Sequence, residues 1–255
     1  MNQSKYQSKF NYLTVLSVVI ANMVGTGVFT SLGFQLLELE SGFVLLLLWV
    51  IGGIIALCGA MTYAELGAAL PRSGGEYNFL GKIYHPAAGF VSGWISATIG
   101  FAGPTALAAI TFAAYATSVI PNSDDIYIQQ LLACSLVIIL SITHASNHRN
   151  SGGLQQIFTI LKIMIIILFC CAAIIANDNL QPTKIWPSKG DSGLIVSGSF
   201  AISLIYVSYA YTGWNAATYL SSELKDPQKT LPWILITGTF IVMILYVLLN
   251  FVFLK

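Results

Sequence analysis

Apolar residues run along this chain in long stretches broken by short polar connectors. Seven stretches approach or exceed the ~20 residues that an α-helix needs to cross a bilayer: 11–37, 42–69, 87–119, 126–146, 153–176, 193–221 and 231–254. The pattern predicts about seven transmembrane helices. The third and sixth stretches are long enough to tilt or break. The connectors include Pro121-Asn122-Ser123-Asp124-Asp125 and a longer loop from Asn177 to Ser192 with Pro182 and Pro187.

Inside the first stretch lies Val24-Gly25-Thr26-Gly27-Val28-Phe29. A helix-breaking Gly-x-Gly there would open backbone N–H and C=O groups that lipid cannot satisfy. Such a break persists only where the exposed backbone faces a cavity or a polar solute. Small and polar residues also interrupt the sixth stretch, at Tyr209-Ala210-Tyr211-Thr212-Gly213-Trp214-Asn215. Five spans separate the two, and an odd number reverses the direction of crossing. Two broken helices so placed would be related by an inverted repeat, with their breaks facing each other across one site. The alternative is that Gly25, Gly27 and Gly213 only let helices pack closely.

Composition agrees with a membrane protein. Hydrophobic residues make up 56% of the chain and charged residues 8%, which excludes both an ordinary soluble domain and a disordered chain. The net charge of +1 offers no basic surface for nucleic acid. Lys5 and Lys9 before the first stretch resemble the start of a secretory signal, but no small-residue cleavage site follows, and an uncleaved first span is expected. With the N-terminus cytoplasmic, Lys5, Lys9, Arg72, Lys82, Arg149, Lys225 and Lys229 lie inside, against Lys184, Lys189 and Lys255 outside. Glu38, Glu40, Asp124, Asp125, Asp178 and Asp191 gather on the outer side.

Cys58, Cys134, Cys170 and Cys171 all fall in apolar stretches without metal or redox spacing and read as packing residues. His85, His144 and His148 are too scattered for a metal site, and no Ser–His–Asp or paired-carboxylate arrangement is present. No cofactor or metal is expected, and a membrane-embedded enzyme lacks its reactive cluster. Lys162 stands out within the fifth stretch. A lysine at the centre of a span costs ~2.5–3.5 kcal/mol on insertion scales, which marks it for function. It lies ~12 Å along the helix if the span starts near Leu154, so snorkelling to the cytoplasmic face is the alternative.

Taken together, several runs resemble the amino acid–polyamine–organocation permeases, and within them the L-type and bacterial amino acid permease branches. They are Gly25-Thr26-Gly27-Val28-Phe29, Tyr63-Ala64-Glu65-Leu66, Pro71-Arg72-Ser73-Gly74-Gly75-Glu76-Tyr77, Phe158-Thr159-Ile160-Leu161-Lys162, Tyr211-Thr212-Gly213-Trp214-Asn215 and Glu223-Leu224-Lys225-Asp226-Pro227. The resemblance implies an all-α membrane protein of the LeuT-like inverted-repeat class. Residues 1–176 would form a complete first five-helix repeat and 193–255 the start of an incomplete second, as in a C-terminally truncated permease.

It further implies secondary active transport of amino acids by alternating access, as an antiporter or a proton-coupled symporter, in the cell inner membrane. The alternative is a non-transporting sensor, subunit or inactive fragment. By resemblance, the Thr26 hydroxyl and the Thr26 and Gly27 amides hold the substrate carboxylate, and Gly25 lets the main chain approach. Carbonyls near Met23, Tyr209 and Thr212, with Ala210 and Gly213 at the second break, would take the ammonium. Tyr209 matches an aromatic gate, although a ring packed between helices is the alternative. Lys162 matches a lysine that replaces a coupling cation, either as a fixed charge or as a proton-exchanging group. The Pro71–Tyr77 run would be a moving inner loop or a plain connector. Glu65 would pair locally, Trp214 would pack, and Ser222 stands where the family often has an acid.

Overall fold

The computed structural model describes residues 10–25, 27–119, 126–146, 148–176 and 185–254. The expectations for Thr26, for Lys5 and Lys9, for Pro121-Asn122-Ser123-Asp124-Asp125, and for Asp178, Pro182, Lys184 and Lys255 lie outside the described residues, as do the side chains of His148 and Arg149. The elements run α1 (Tyr12–Met23), α2 (Gly27–Glu38), α3 (Gly42–Ala69), α4 (Glu76–Ile83), α5 (Pro86–Ile95), a π-helical stretch Ser96–Ala102, α6 (Gly103–Ser118), α7 (Ile126–Ser146), α8 (His148–Ala176), α9 (Asp191–Ile195), α10 (Gly198–Ala210), a 3-10 helix Trp214–Glu223, and α11 (Pro227–Phe253). No strand occurs among the described residues; Phe10 and Leu224 form a single parallel bridge. The fold is all-α, as expected.

Local chemistry sets the helix boundaries. Asn11 and Ser41 cap α1 and α3 by accepting from the Thr14 and Val44 amides. Pro86 and Pro227 start α5 and α11, where a missing N–H costs nothing. Five continuous helices are long and apolar enough to span: Gly42–Ala69, Pro86–Ser118, Ile126–Ala145, Ser151–Ile175 and Pro227–Phe253. The first predicted span is instead a pair, α1 and α2, whose axes differ by 42°. The sixth, 193–221, is likewise no single helix. It is divided into α9, α10 and the 3-10 helix; α10 stops at Ala210, and the turn that follows passes through Gly213 at φ +107° before the 3-10 helix begins. In the third span, Pro104 has no N–H to return to the preceding turn, and the hydrogen-bond register slips into the π stretch just before it.

The described residues form two compact units. One combines the chain up to Ser73 with Gln155 onward; the other is Gly74–Leu154. In the first unit, α3 and α11 pack along their lengths through small residues. A Cβ on Gly53 would strike Met243, one on Gly67 Leu231, and one on Gly52 Val207 of α10. These glycines allow the close helix approach that packing inside a bilayer relies on. Trp49, Tyr211 and Tyr246 are fully buried at the centre. In the second unit α4 crosses α5 at Gly81 and Gly89, and α6 meets α7 through Ala109, Ala113 and Ala133. Only 6% of the most apolar stretch of Pro86–Ser118 is buried, against 50% for α11.

Candidate site at two broken helices

The end of α1 shows how a spanning helix can stop without leaving carbonyls bare. The Val24 amide donates to Ile20 O at 2.9 Å, and the Gly25 amide turns back to Met23 O at 2.9 Å. Ala21 O and Val24 O then accept from Lys162 Nζ at 3.2 and 2.6 Å. A cation at a helix C-terminus meets both unpaired carbonyls and the negative end of the dipole. Lys162 is half-buried and binds main chain rather than reaching only for the membrane face. Two further α8 residues at three-residue spacing stitch it to α1: Thr159 Oγ1 donates to Ser17 O at 3.2 Å, and Gln156 Nε2 to Thr14 Oγ1 at 2.8 Å.

The second break closes on itself in a similar way. The Tyr211 amide donates to Val207 O at 3.0 Å, while the Thr212 amide and hydroxyl both donate to Tyr209 O, at 3.1 and 2.7 Å. Gly213 then turns left-handed, and the 3-10 helix starts at Trp214.

The two breaks face each other. A Cβ on Gly27 would lie 3.4 Å from Ala210 Cα, and one on Gly213 only 2.8 Å from the Asn22 carbonyl carbon. Met23, Gly27, Ala210 and Gly213 therefore come together in one place. Beside them Gly25 is exposed, and a Cβ there would meet no atom within 4 Å, so there is room next to the break. Tyr209 is 62% exposed and does not sit among the buried rings. The Met23 carbonyl, expected to be unpaired, accepts from Tyr246 Oη at 2.6 Å, and the same hydroxyl lies 3.1 Å from Ala210 O. The Tyr209 carbonyl is also engaged, by its own turn. Each of these two carbonyls therefore already accepts two hydrogen bonds, Met23 O from the Gly25 amide and Tyr246 Oη, Tyr209 O from the Thr212 amide and hydroxyl.

Sequence reasoning missed Tyr246 and the aromatic group behind the breaks. Tyr246 meets Trp49 edge-on, with centroids 5.4 Å apart, and lies 5.0 Å from Tyr211, whose hydroxyl donates to Trp49 O at 3.0 Å. A lone phenol in the aliphatic run Ile244-Leu245-Tyr246-Val247-Leu248 was the available signal, because a hydroxyl at membrane depth needs a partner. Tyr246→Phe keeps the ring and removes only this link between helix ends. It is expected to lower stability by about 1–3 kcal/mol, read as a lower melting temperature in detergent; an unchanged melting temperature would contradict it.

Other residues singled out earlier are more ordinary. Trp214 packs edge-on against Tyr63, with centroids 4.9 Å apart, and covers Gly59. Glu65 is exposed. Among the described residues no three His, Cys, Asp or Glu are grouped to hold a metal.

An all-α chain with five helices long and apolar enough to span, and a sixth span formed by a bent pair, defines a multi-pass membrane protein. The Amino acid permease family profile matches residues 10–254, and the chain belongs to that family. It is 29% identical to large neutral amino acids transporter small subunit 2 of Mus musculus, over 96% of this chain and 47% of the relative. It is 27% identical to b(0,+)-type amino acid transporter 1 of Homo sapiens, over 96% and 50%, and 28% identical to Asc-type amino acid transporter 1 of Rattus norvegicus, over 89% and 43%. The chain spans about half the length of the curated relatives it matches.

Proposed function

We propose that this chain binds amino acids at the paired breaks and carries them across the membrane by alternating access. The zwitterion lies between α1–α2 and α10 with its carboxylate at the start of α2, where the amides of Thr26 and Gly27, the Thr26 hydroxyl and the positive end of the α2 dipole favour an anion. Its ammonium faces the carbonyl side, formed by Met23, Ala210 and the turn through Tyr209, Thr212 and Gly213. Tyr209 closes over the bound substrate from one side. Lys162 serves as a fixed positive charge that braces the end of α1 in place of a coupling cation. The N-terminus lies in the cytoplasm, and the repeats divide near residue 176. The names of the first relatives point to large neutral amino acids, so leucine is the probe.

The observation that carries this reading is the apposition of Gly27 with Ala210 and of Gly213 with Asn22. It brings a helix N-terminus and two helix C-termini to one point, which complements a small molecule with opposite charges on one carbon. The test is Gly27→Val. A Cβ there already touches Ala210, so the two further methyls of valine crowd the space between the breaks and shield the amides. Binding of radiolabelled leucine to the reconstituted chain should be lost while membrane insertion is unchanged; normal binding would refute the carboxylate cradle.

A further inference from the structure

Three buried side-chain atoms have no hydrogen-bond partner among the described residues: Ser31 Oγ, Gln35 Nε2 and Asn250 Oδ1. The first two stand four residues apart on α2, so they lie on adjacent turns of one helix face, with Cβ atoms about 5–6 Å apart. Gln35 is fully buried and Ser31 is 6% exposed. Their face of α2 is the one turned inward. It starts at Gly27, against Ala210, and runs through Ser31 and Gln35 to Leu39 just past the helix, which is also fully buried.

The direction of the Gln35 amide is fixed by its neighbour. The Trp49 indole N–H only donates, and it donates to Gln35 Oε1 at 3.1 Å, so the amide nitrogen is turned the other way with two hydrogens to place. A serine inside a helix ordinarily bonds the carbonyl one turn back, but the Ser31 hydroxyl makes no such bond. Two unpartnered groups on one buried face call for a shared ligand, because leaving either unpaired is costly. The donor set selects its chemistry. An amide nitrogen offers no lone pair to a cation. An anion would be buried beside neutral groups with no balancing charge, since α2, α3 and α10 carry no Lys or Arg. Water both accepts and donates, and two hydrogen bonds through one oxygen span the interval between adjacent turns.

We propose that Ser31 and Gln35 hold one buried water, which locks the Gln35 amide in the orientation that ties α2 to Trp49 of α3. The site lies one to two turns beyond Gly27 and does not depend on the transport reading.

The sign of a single substitution tests it. Ser31→Ala in the 255-residue chain removes only the hydroxyl. With a water held there, the variant should melt about 2–4 °C lower in detergent. That loss should fall by more than half in the Gln35→Met background, where the water has already left. Gln35→Met also removes the Trp49 bond, but it does so in both members of the pair and drops out of the comparison. An unchanged or raised melting temperature in Ser31→Ala would overturn the site, because deleting an unpartnered hydroxyl and gaining a better helix former both stabilise. An equal loss in the two backgrounds would overturn it as well, by giving the hydroxyl some other partner. In crystals of the parent chain that show ordered water, one peak should stand within about 3.2 Å of both Ser31 Oγ and Gln35 Nε2; no peak, or a direct bond between the two side chains, would overturn the proposal whatever the melting temperatures.

Discussion

Replacing Lys162 with methionine is expected to abolish leucine uptake and to destabilise the chain by about 3 kcal/mol or more. Methionine keeps an aliphatic stem of similar reach, so the lost interaction is the charge. Lys162 Nζ donates to Ala21 O and Val24 O, the carbonyls left over where α1 stops short of Gly25. Hydrogen bonds from a charged donor contribute about 1.5–3 kcal/mol each, and the charge sits at the negative end of the α1 dipole. Without it two carbonyls at membrane depth lose their partner, and α1 loses the uppermost of its three ties to α8. The end of α1 should then drift from α10 and spoil the opposition of the two breaks. Thermal melting and leucine uptake measure the two effects separately. Intact uptake with a lowered melting point would confine Lys162 to a structural role, and no change in either would contradict the account.

Gly213→Ala is expected to cost about 3 kcal/mol, from about 1–3 kcal/mol of left-handed backbone strain and about 1–3 kcal/mol of overpacking. It should weaken leucine binding by at least about tenfold, the equivalent of 1.4 kcal/mol. Gly213 has φ +107°, which an L side chain rarely adopts. The added methyl would also sit 2.8 Å from the Asn22 carbonyl carbon and 2.9 Å from its oxygen. Those are main-chain atoms of α1 and cannot rotate aside, so relief means moving the first break away from the second. Gly33→Ala in α2 is the control, because a Cβ there meets nothing within 4 Å. A helix-interior alanine should stabilise it by about 0.5–1 kcal/mol. Binding lost in the Gly213 variant and kept in the Gly33 variant fits the account; equal behaviour of the two would count against it.

The features legible in the sequence were those whose residue types conflict with their surroundings. Glycines 25, 27 and 213 stand out in apolar runs, and a lone Lys162 stands out in the fifth. Counting spans between the breaks was enough to expect that they face each other, as the Gly27–Ala210 and Gly213–Asn22 contacts now describe. Hidden features were those in which an ordinary residue acquires its role from a distant partner. Tyr246 looks like any packing aromatic until Met23 O and Ala210 O are placed around its hydroxyl. Ser73 and Ser222 look like loop residues until the chain brings them together. The sequence also overstated the bareness of the helix ends. Nothing in a run such as Tyr209-Ala210-Tyr211-Thr212 announces that the Thr212 hydroxyl will fold back on the Tyr209 carbonyl, although short polar side chains commonly satisfy the main chain just behind them.

The central claim is that opposed helix ends recognise both charged groups of an amino acid through main chain. It is tested most directly by competition against radiolabelled leucine on the reconstituted chain, with leucine, N-acetyl-leucine and leucine amide as competitors. The account predicts that only leucine displaces the label, because each derivative removes the charge that one helix end complements. Displacement by either derivative as readily as by leucine would contradict it.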